Sequence, residues 1–332
     1  MVREIYKNIF SFPVTLPKSP LKEINIYVIK GEDRTVVLDT GYNMPQSEAD
    51  MRNGLTQLGL DLRDVELVIT HLHADHTGLT TKFYDSGCKI YASKIDGAYF
   101  NSMATGEYWD LINSFKKLYG IGDTEIDITD NPGFNYKLDR PVEYEILTPG
   151  ENFSVGDYNF EILDLKGHTP GHIGLYEKNH KILFGADTVL DPITPNITFW
   201  GFKYKDILGE YMDTLRYLRS MDIDYIFPTH RKIITDHVTR IDELLHHHYV
   251  RMQEILDVMD YDKQYTVRDI SAVITWNIRA DSWDDFPKPQ KWFATGETMS
   301  HMEHLYSKGY LKMIDDNGTL KFNKLKNSIE QA

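Results

Sequence analysis

The run Thr70-His71-Leu72-His73-Ala74-Asp75-His76-Thr77-Gly78 carries three imidazoles and a carboxylate directly after the apolar segment Val65–Ile69. Borderline-soft imidazole nitrogens combined with one hard carboxylate oxygen suit a divalent transition metal such as zinc or iron. In an extended backbone His71 and His73 point the same way, while Leu72 points back into the core. Asp75 and His76 follow after the chain turns and can face a second ion nearby. A solvated histidine-rich loop is the bland alternative, and three downstream segments argue against it.

Gly167-His168-Thr169-Pro170-Gly171-His172 follows the strand-like Glu161–Leu165, where a Gly- and Pro-rich turn would hold a histidine rigidly. Phe184-Gly185-Ala186-Asp187-Thr188 puts a carboxylate after Ile182–Phe184, and Phe227-Pro228-Thr229-His230-Arg231 puts an imidazole after Tyr225–Phe227. Taken singly, His168 reads equally well as a turn residue, Asp187 as a cap and His230 as a surface side chain. Four strand ends that each deliver a metal-type ligand argue jointly for one site.

The elements that must position these residues alternate. Ile24–Ile29 and Thr35–Leu38 read as strands, Pro45–Leu58 as a helix with Ser47 as its candidate cap, and Val65–Ile69 and Lys89–Ala92 as strands again. Ile95–Met103 and Tyr108–Leu118 read as aromatic-rich helices, and strand character returns at 142–147, 158–165 and 181–184. Ile207–Arg219 and Thr239–Met259 read as amphipathic helices around the strand Tyr225–Phe227. Such alternation implies an α/β fold with sheet inside and helices outside. Polar motif residues fall where strands end and loops can present them.

A boundary is expected near 257–263, dividing a catalytic domain (1–257) from a C-terminal domain (258–332). The latter reads as two helices and a hairpin around Asp316-Asn317-Gly318, the layout of a winged helix. Residues 251–332 hold 11 Lys and Arg against 13 Asp and Glu, and the presumed recognition helix (His301, Glu303, His304, Lys308) is not basic. Packing, dimerisation or a substrate lid is therefore favoured over nucleic-acid contact. The His246-His247-His248 run reads as a solvated helix face rather than a third metal site.

The formal net charge of −14 argues against a general nucleic-acid or anionic-membrane binder and favours a small-molecule substrate. Apolar runs are too short to span a bilayer. Cys88 is the only cysteine, so neither a disulfide nor a thiolate cage is available, and a cytoplasmic location is expected. A homo-oligomer is compatible with the sequence.

On the motifs His71-x-His73-x-Asp75-His76, Gly167-His168-Thr169-Pro170-Gly171-His172, Asp187, His230 and the early Asp39-Thr40-Gly41, the chain resembles the metallo-β-lactamase-fold hydrolases. The resemblance spans roughly residues 20–235. It implies a four-layer αββα sandwich in which His71, His73 and His168 bind one ion, Asp75, His76 and His230 bind a second, and Asp187 bridges them. Asp39 would orient a ligand and His172 would support its loop. The cofactors implied are two divalent transition-metal ions, zinc by default, with iron and manganese also fitting. A bridging hydroxide would be the nucleophile, and Asp75 would ligate and handle the proton.

Within that family the Gly-His-Thr-Pro-Gly-His motif is similar to the glyoxalase II-like and lactonase-like branches. Lactonase-like members carry a tyrosine shortly after the bridging Asp, where this chain has Thr188-Val189-Leu190. Pro192–Trp200 follows that Asp, and Phe199 and Trp200 are expected to line the mouth of the site against an apolar substrate portion. The resulting expectation is a hydrolase of a small ester or thioester, an acyl thioester first. The alternatives are a nucleic-acid-processing hydrolase that uses the winged helix, and a metal-binding regulator without catalysis.

Overall fold

The computed structural model describes residues 1–329. β1 (Arg3–Tyr6), β2 (Ile9–Thr15), β3 (Glu23–Lys30) and β4 (Thr35–Leu38) form an antiparallel meander. Helix α1 (Pro45–Gln57) crosses to β5 (Glu66–Ile69), and α2 (Ala74–Thr77) and α3 (Thr80–Asp85) lead to β6 (Ile90–Ala92). After α4 (Lys94–Thr105), α5 (Glu107–Tyr119) and α6 (Pro132–Tyr136), β7 (Glu145–Ile146) completes a seven-stranded sheet in sequential order. From β4 to β7 this sheet is parallel.

The second sheet contains β8 (Asn152–Val155), β9 (Tyr158–Asp164), β10 (Ile173–Glu177), β11 (Ile182–Ala186) and β12 (Tyr225–Pro228), in the order β12-β11-β10-β9-β8. A crossover through α7 (Ile207–Arg219) makes β12 parallel to β11. The chain continues through α8 (His237–Val258), α9 (Val267–Ser271) and α10 (Lys288–Ser307) to the hairpin β13 (Leu311–Asp316) and β14 (Thr319–Lys324). At its turn Asn317 and Gly318 both have positive φ, the pairing that a two-residue hairpin turn demands.

The period-two alternation of strand side chains generates the layers. Val36, Leu38 and Val68 of the first sheet pack on Phe160, Ile162, Leu175, Ile182 and Phe184 of the second. Their chain neighbours Val37, Leu67 and Ile69 face the other way, into a core shared with Met51 and Leu55 of α1. On the far side Leu183 and Ile226 meet Leu208, Leu215 and Leu218 of α7. The result is helix, sheet, sheet, helix. Each fully buried aliphatic side chain contributes roughly 1.5–3 kcal/mol.

The helical core runs on without a break into the C-terminal elements, where Met299, Met302, Leu305 and Phe322 join it. Thirteen of the twenty residues of α10 are buried, so the helix is enclosed on most sides. His301, Glu303 and His304, the side chains a recognition helix would offer, are buried, and Lys308 alone of the four is exposed. The His246–His248 run divides by face. His246 is exposed, whereas His248 is fully buried with its Nδ1 3.0 Å from His301 Nε2. Ser47 does not cap α1: Met44 occupies the N-cap and Pro45 the first turn, and the Ser47 hydroxyl donates to the Thr15 carbonyl at 2.7 Å. Among the described residues no helix is long and apolar enough to cross a membrane.

Cys88 is 5% exposed, and burial, reinforced by the Glu66 carboxylate, pushes its thiol up to about 12. At pH 8 it is therefore a protonated, shielded thiol and a poor nucleophile. Iodoacetamide at pH 8 is expected to leave the folded protein unmodified and to label one thiol per chain in denaturant. Rapid labelling of the folded protein would contradict this packing.

Candidate metal centre

The motif residues converge at one edge of the sandwich, where strands of both sheets end. β4 delivers Asp39, β5 delivers the His71–His76 loop, the turn after β9 delivers His168, β11 delivers Asp187 and β12 delivers His230. Parallel pairing aligns Ala186 with Pro228, so Asp187 and Thr229 emerge side by side, and the Thr229 hydroxyl donates to Asp187 Oδ1. The two sheets are tied at the same edge by Ile173 N–H donating to Thr70 O at 3.0 Å.

Three groups of side chains bring ligand atoms within 4.8 Å of one another: His71, His73 and His168; His71, His76 and Asp187; and Asp75, His76 and His230. Asp187 is the hub. Its Oδ2 lies 3.6 Å from both His76 Nε2 and His168 Nε2 and 4.0 Å from His71 Nε2, while its Oδ1 lies 3.7 Å from His230 Nε2. Asp75 reaches His230 Nε2 through Oδ2 at 3.3 Å and His76 Nε2 through Oδ1 at 3.8 Å.

The imidazoles are aimed from behind. His76 Nδ1 donates to Asp39 Oδ2 at 2.9 Å, His168 Nδ1 to the Asn196 carbonyl at 2.9 Å, and His230 Nδ1 to the Glu23 carbonyl at 3.0 Å. Each of these contacts fixes a ring and its tautomer and turns Nε2 inward. The Nε2 atoms of His76, His168 and His230 are buried without a hydrogen-bond partner. Buried polar atoms are rarely left unpaired. Three orphaned nitrogens aimed at two carboxylates are what a cation-binding cage requires, so the donor set fits divalent metal.

Asp39 is itself held in a left-handed backbone conformation (φ 62°) and fully buried, where it also accepts from Thr70 N–H and Oγ1 at 2.9 and 2.8 Å. A positive φ at a non-glycine residue is costly and concentrates at functional sites. His172 lies behind the cluster rather than in it. Its ring stacks on His71 with centroids 4.8 Å apart, and its Nε2 accepts from Asp187 N–H at 3.3 Å.

Electrostatics prepare His71, His73 and the two carboxylates for a cation, whereas at His76 and His230 the neighbouring carboxylates outweigh burial and raise both rings, which a metal would have to deprotonate. Burial, aided by the neighbouring imidazoles, holds His71 well below the usual histidine range and His73 at about 3, leaving both with a free lone pair. Burial would raise the Asp75 and Asp187 carboxyls, but the His76 and His230 rings outweigh it and keep both ionised.

Phe199 and Trp200 lie in the interior, 1% and 4% exposed. Phe199 packs between Phe115 and Phe202, and Trp200 stacks on His73 with centroids 5.9 Å apart and donates its indole N–H to the His168 carbonyl at 3.3 Å. Trp200 therefore backs two of the metal-type ligands.

Asp96 escaped the sequence reading. Buried beneath the centre at 1% exposure, its carboxylate accepts from Leu72 N–H at 3.0 Å, Gly171 N–H at 2.7 Å and the Thr169 hydroxyl, and so bolts the His71–His76 loop to the His168 loop. Its one sequence signal is Ser93-x-x-Asp96, which reads as a helix start, and the Ser93 side chain does cap α4 by accepting from Asp96 N–H. Asp96→Ala would strand three buried donors. It is expected to cost about 3 kcal/mol or more in denaturant unfolding and to weaken metal binding roughly ten- to hundredfold. Wild-type values for both would show that the bolt carries no load.

Comparison with known proteins places this fold. A metallo-beta-lactamase family protein of Thermus thermophilus superposes with a TM-score of 0.82 over 97% of this chain and all of its own, at 22% identity. A beta-lactamase domain protein of Burkholderia ambifaria does so with a TM-score of 0.78 over 98% and 95%, at 20% identity. In sequence, the chain is 24% identical over 250 residues to a probable metallo-hydrolase of Bacillus subtilis, covering 72% of this chain and 76% of that protein. It is 27% identical over 176 residues to a human acyl-coenzyme A thioesterase, covering 50% of this chain and 58% of that protein's length. Residues 20–230 match the sequence profile of the metallo-beta-lactamase superfamily, and the chain belongs to that superfamily.

Proposed function

We propose that the protein is a dinuclear metal-dependent hydrolase of a small ester or thioester, with an acyl thioester as the favoured substrate class. The observation that carries this reading is Asp187, which stands between the two ligand sets: its Oδ2 lies 3.6 Å from His168 and His76 and 4.0 Å from His71, and its Oδ1 lies 3.7 Å from His230. In this reading His71, His73 and His168 would hold one ion and Asp75, His76 and His230 the other, with Asp187 shared between the two sets. Zinc is the default occupant for such a donor set. When bound, the ions supply an acidified water and an electrophile for the carbonyl oxygen of the substrate.

The chain's own groups do the rest. Asp75 keeps its side chain 13% exposed, more open than Asp187 at 8%, and is the carboxylate that receives the proton released by the attacking water. Asp39, Asn196 and the Glu23 carbonyl keep the imidazoles from turning. A thioester suits this equipment, because a thiolate leaves without full protonation and so needs no separate general acid. The thioesterase named among the relatives supports the same class.

Metal analysis of the purified protein is expected to give close to two transition-metal ions per chain, and Asp187→Asn should abolish turnover and release metal. Asp75→Asn should lower kcat by on the order of 10²-fold or more. The deciding assay is a panel of acyl-coenzyme A and glutathione thioesters and p-nitrophenyl esters run beside single-stranded RNA. Turnover of thioesters supports the proposal. Cleavage of RNA with no turnover of any ester, or full activity in metal-free protein, would overturn it.

A further inference from the structure

One face of α10 is used for something other than apolar packing. Phe293, Gly296, Glu297 and Ser300 recur at the spacing of a single helix stripe, and all four meet the extended segment that follows Pro195. The Asn196 amide nitrogen donates to Glu297 Oε2 at 2.8 Å and to the Phe293 carbonyl at 3.3 Å. Phe199 N–H donates to the Gly296 carbonyl at 3.1 Å, and the Ser300 hydroxyl donates to the Ile197 carbonyl at 2.5 Å. Gly296 is required for so close an approach: a Cβ there would fall 2.0 Å from Thr198 Oγ1. The segment being gripped ends on groups that contact the metal-type ligands. The Asn196 carbonyl takes His168 Nδ1–H, and Trp200 backs His73.

We infer that α10 is a working part of the metal centre, and that Glu297 is a positioning residue for His168, acting through Asn196. The carboxylate of Glu297 holds the Asn196 amide, which fixes the peptide whose carbonyl orients the His168 ring. Arg251 of α8 stands behind it, with its Nε 4.0 Å from Glu297 Oε1. An Asn196 freed from Glu297 could rotate its peptide, and the His168 ring would lose the partner that selects its tautomer. The C-terminal elements are thereby assigned a role in metal affinity, whatever the substrate.

The test is titration of the metal-free full chain with Co(II), followed by visible absorption and by competition with a chelator. Glu297→Ala is expected to weaken one of the two binding steps roughly tenfold to a hundredfold and to alter the absorption of that ion, with little change in the other step. Glu297→Gln, which can still accept from Asn196, should stay within about threefold of wild type on the same scale. Tyr306→Ala, on the exposed side of the same helix, should change neither. If Glu297→Ala does not fold, Asn196→Ala carries the same expectation while leaving Glu297 beside Arg251. Wild-type affinity and spectrum in the folded Ala variant, or a Gln variant as weak as Ala, would overturn the inference. It rests on His168 being a metal ligand, and the two failures are distinct: a wild-type chain that takes up no Co(II) defeats the hydrolase reading as well, whereas normal uptake by wild type and variant alike defeats only the role of α10.

Discussion

The carboxylates of Asp39, Asp75 and Asp187 converge where water scarcely reaches, and the structure depends on giving each a partner there. An uncompensated buried carboxylate costs several kcal/mol even after relaxation. Here each faces imidazole nitrogen: Asp39 faces His76, Asp75 faces His230, and Asp187 faces four rings. His76 shows the balance most clearly. Burial pulls its basicity down, yet the carboxylates of Asp39, Asp75 and Asp187 raise it well above the ordinary histidine value. A cluster so poised is stable only while every ring is held in orientation, which is why the Nδ1 anchors and the Asp96 bolt matter as much as the inward-facing atoms.

Much of the site was legible because its chemistry is local in sequence. His71 to His76 form one short loop, and His168, Asp187 and His230 each follow an apolar segment that reads as a strand. The supporting contacts were not legible, because they are long-range or made by backbone. The carbonyls of Asn196 and Glu23 carry no side-chain signature, and Asp96 joins residues far from it in sequence. Trp200 was legible as an aromatic near the centre, but only the fold shows that its ring faces His73 from behind.

The layers were partly legible for the same reason. Strands β3 to β7, β9, β11 and β12 are legible as apolar or β-branched runs bounded by turn residues, most of them buried on both faces, whereas β1, β2, β8 and β10 are not. β2 contains Pro13 and Ser11, and β8 is only four residues long. β10 carries Gly174, which reads as a breaker; the structure needs it because a Cβ there would press within 2.4 Å of Leu165 and 3.0 Å of the Phe184 carbonyl. Helix α10 gives a weak periodic signal because thirteen of its twenty residues are buried, so little solvent face remains to show polar residues.

The dispersal of the site along the chain has a consequence for its birth. Its side chains are drawn from residue 39 to residue 230, and the helix that grips the Asn196 segment begins only at Lys288. At a synthesis rate of roughly 5–20 residues per second, that helix leaves the ribosome seconds after His230. Until then the first sheet can pair through its sequential strands, but, on the inference above, the Asn196 carbonyl behind His168 is not yet held by Glu297. A nascent chain therefore has imidazoles and carboxylates able to scavenge stray ions before it has the cage to hold them in order. If Glu297 positions His168 as inferred, orderly loading is a property of the finished chain, timed by the arrival of its last long helix.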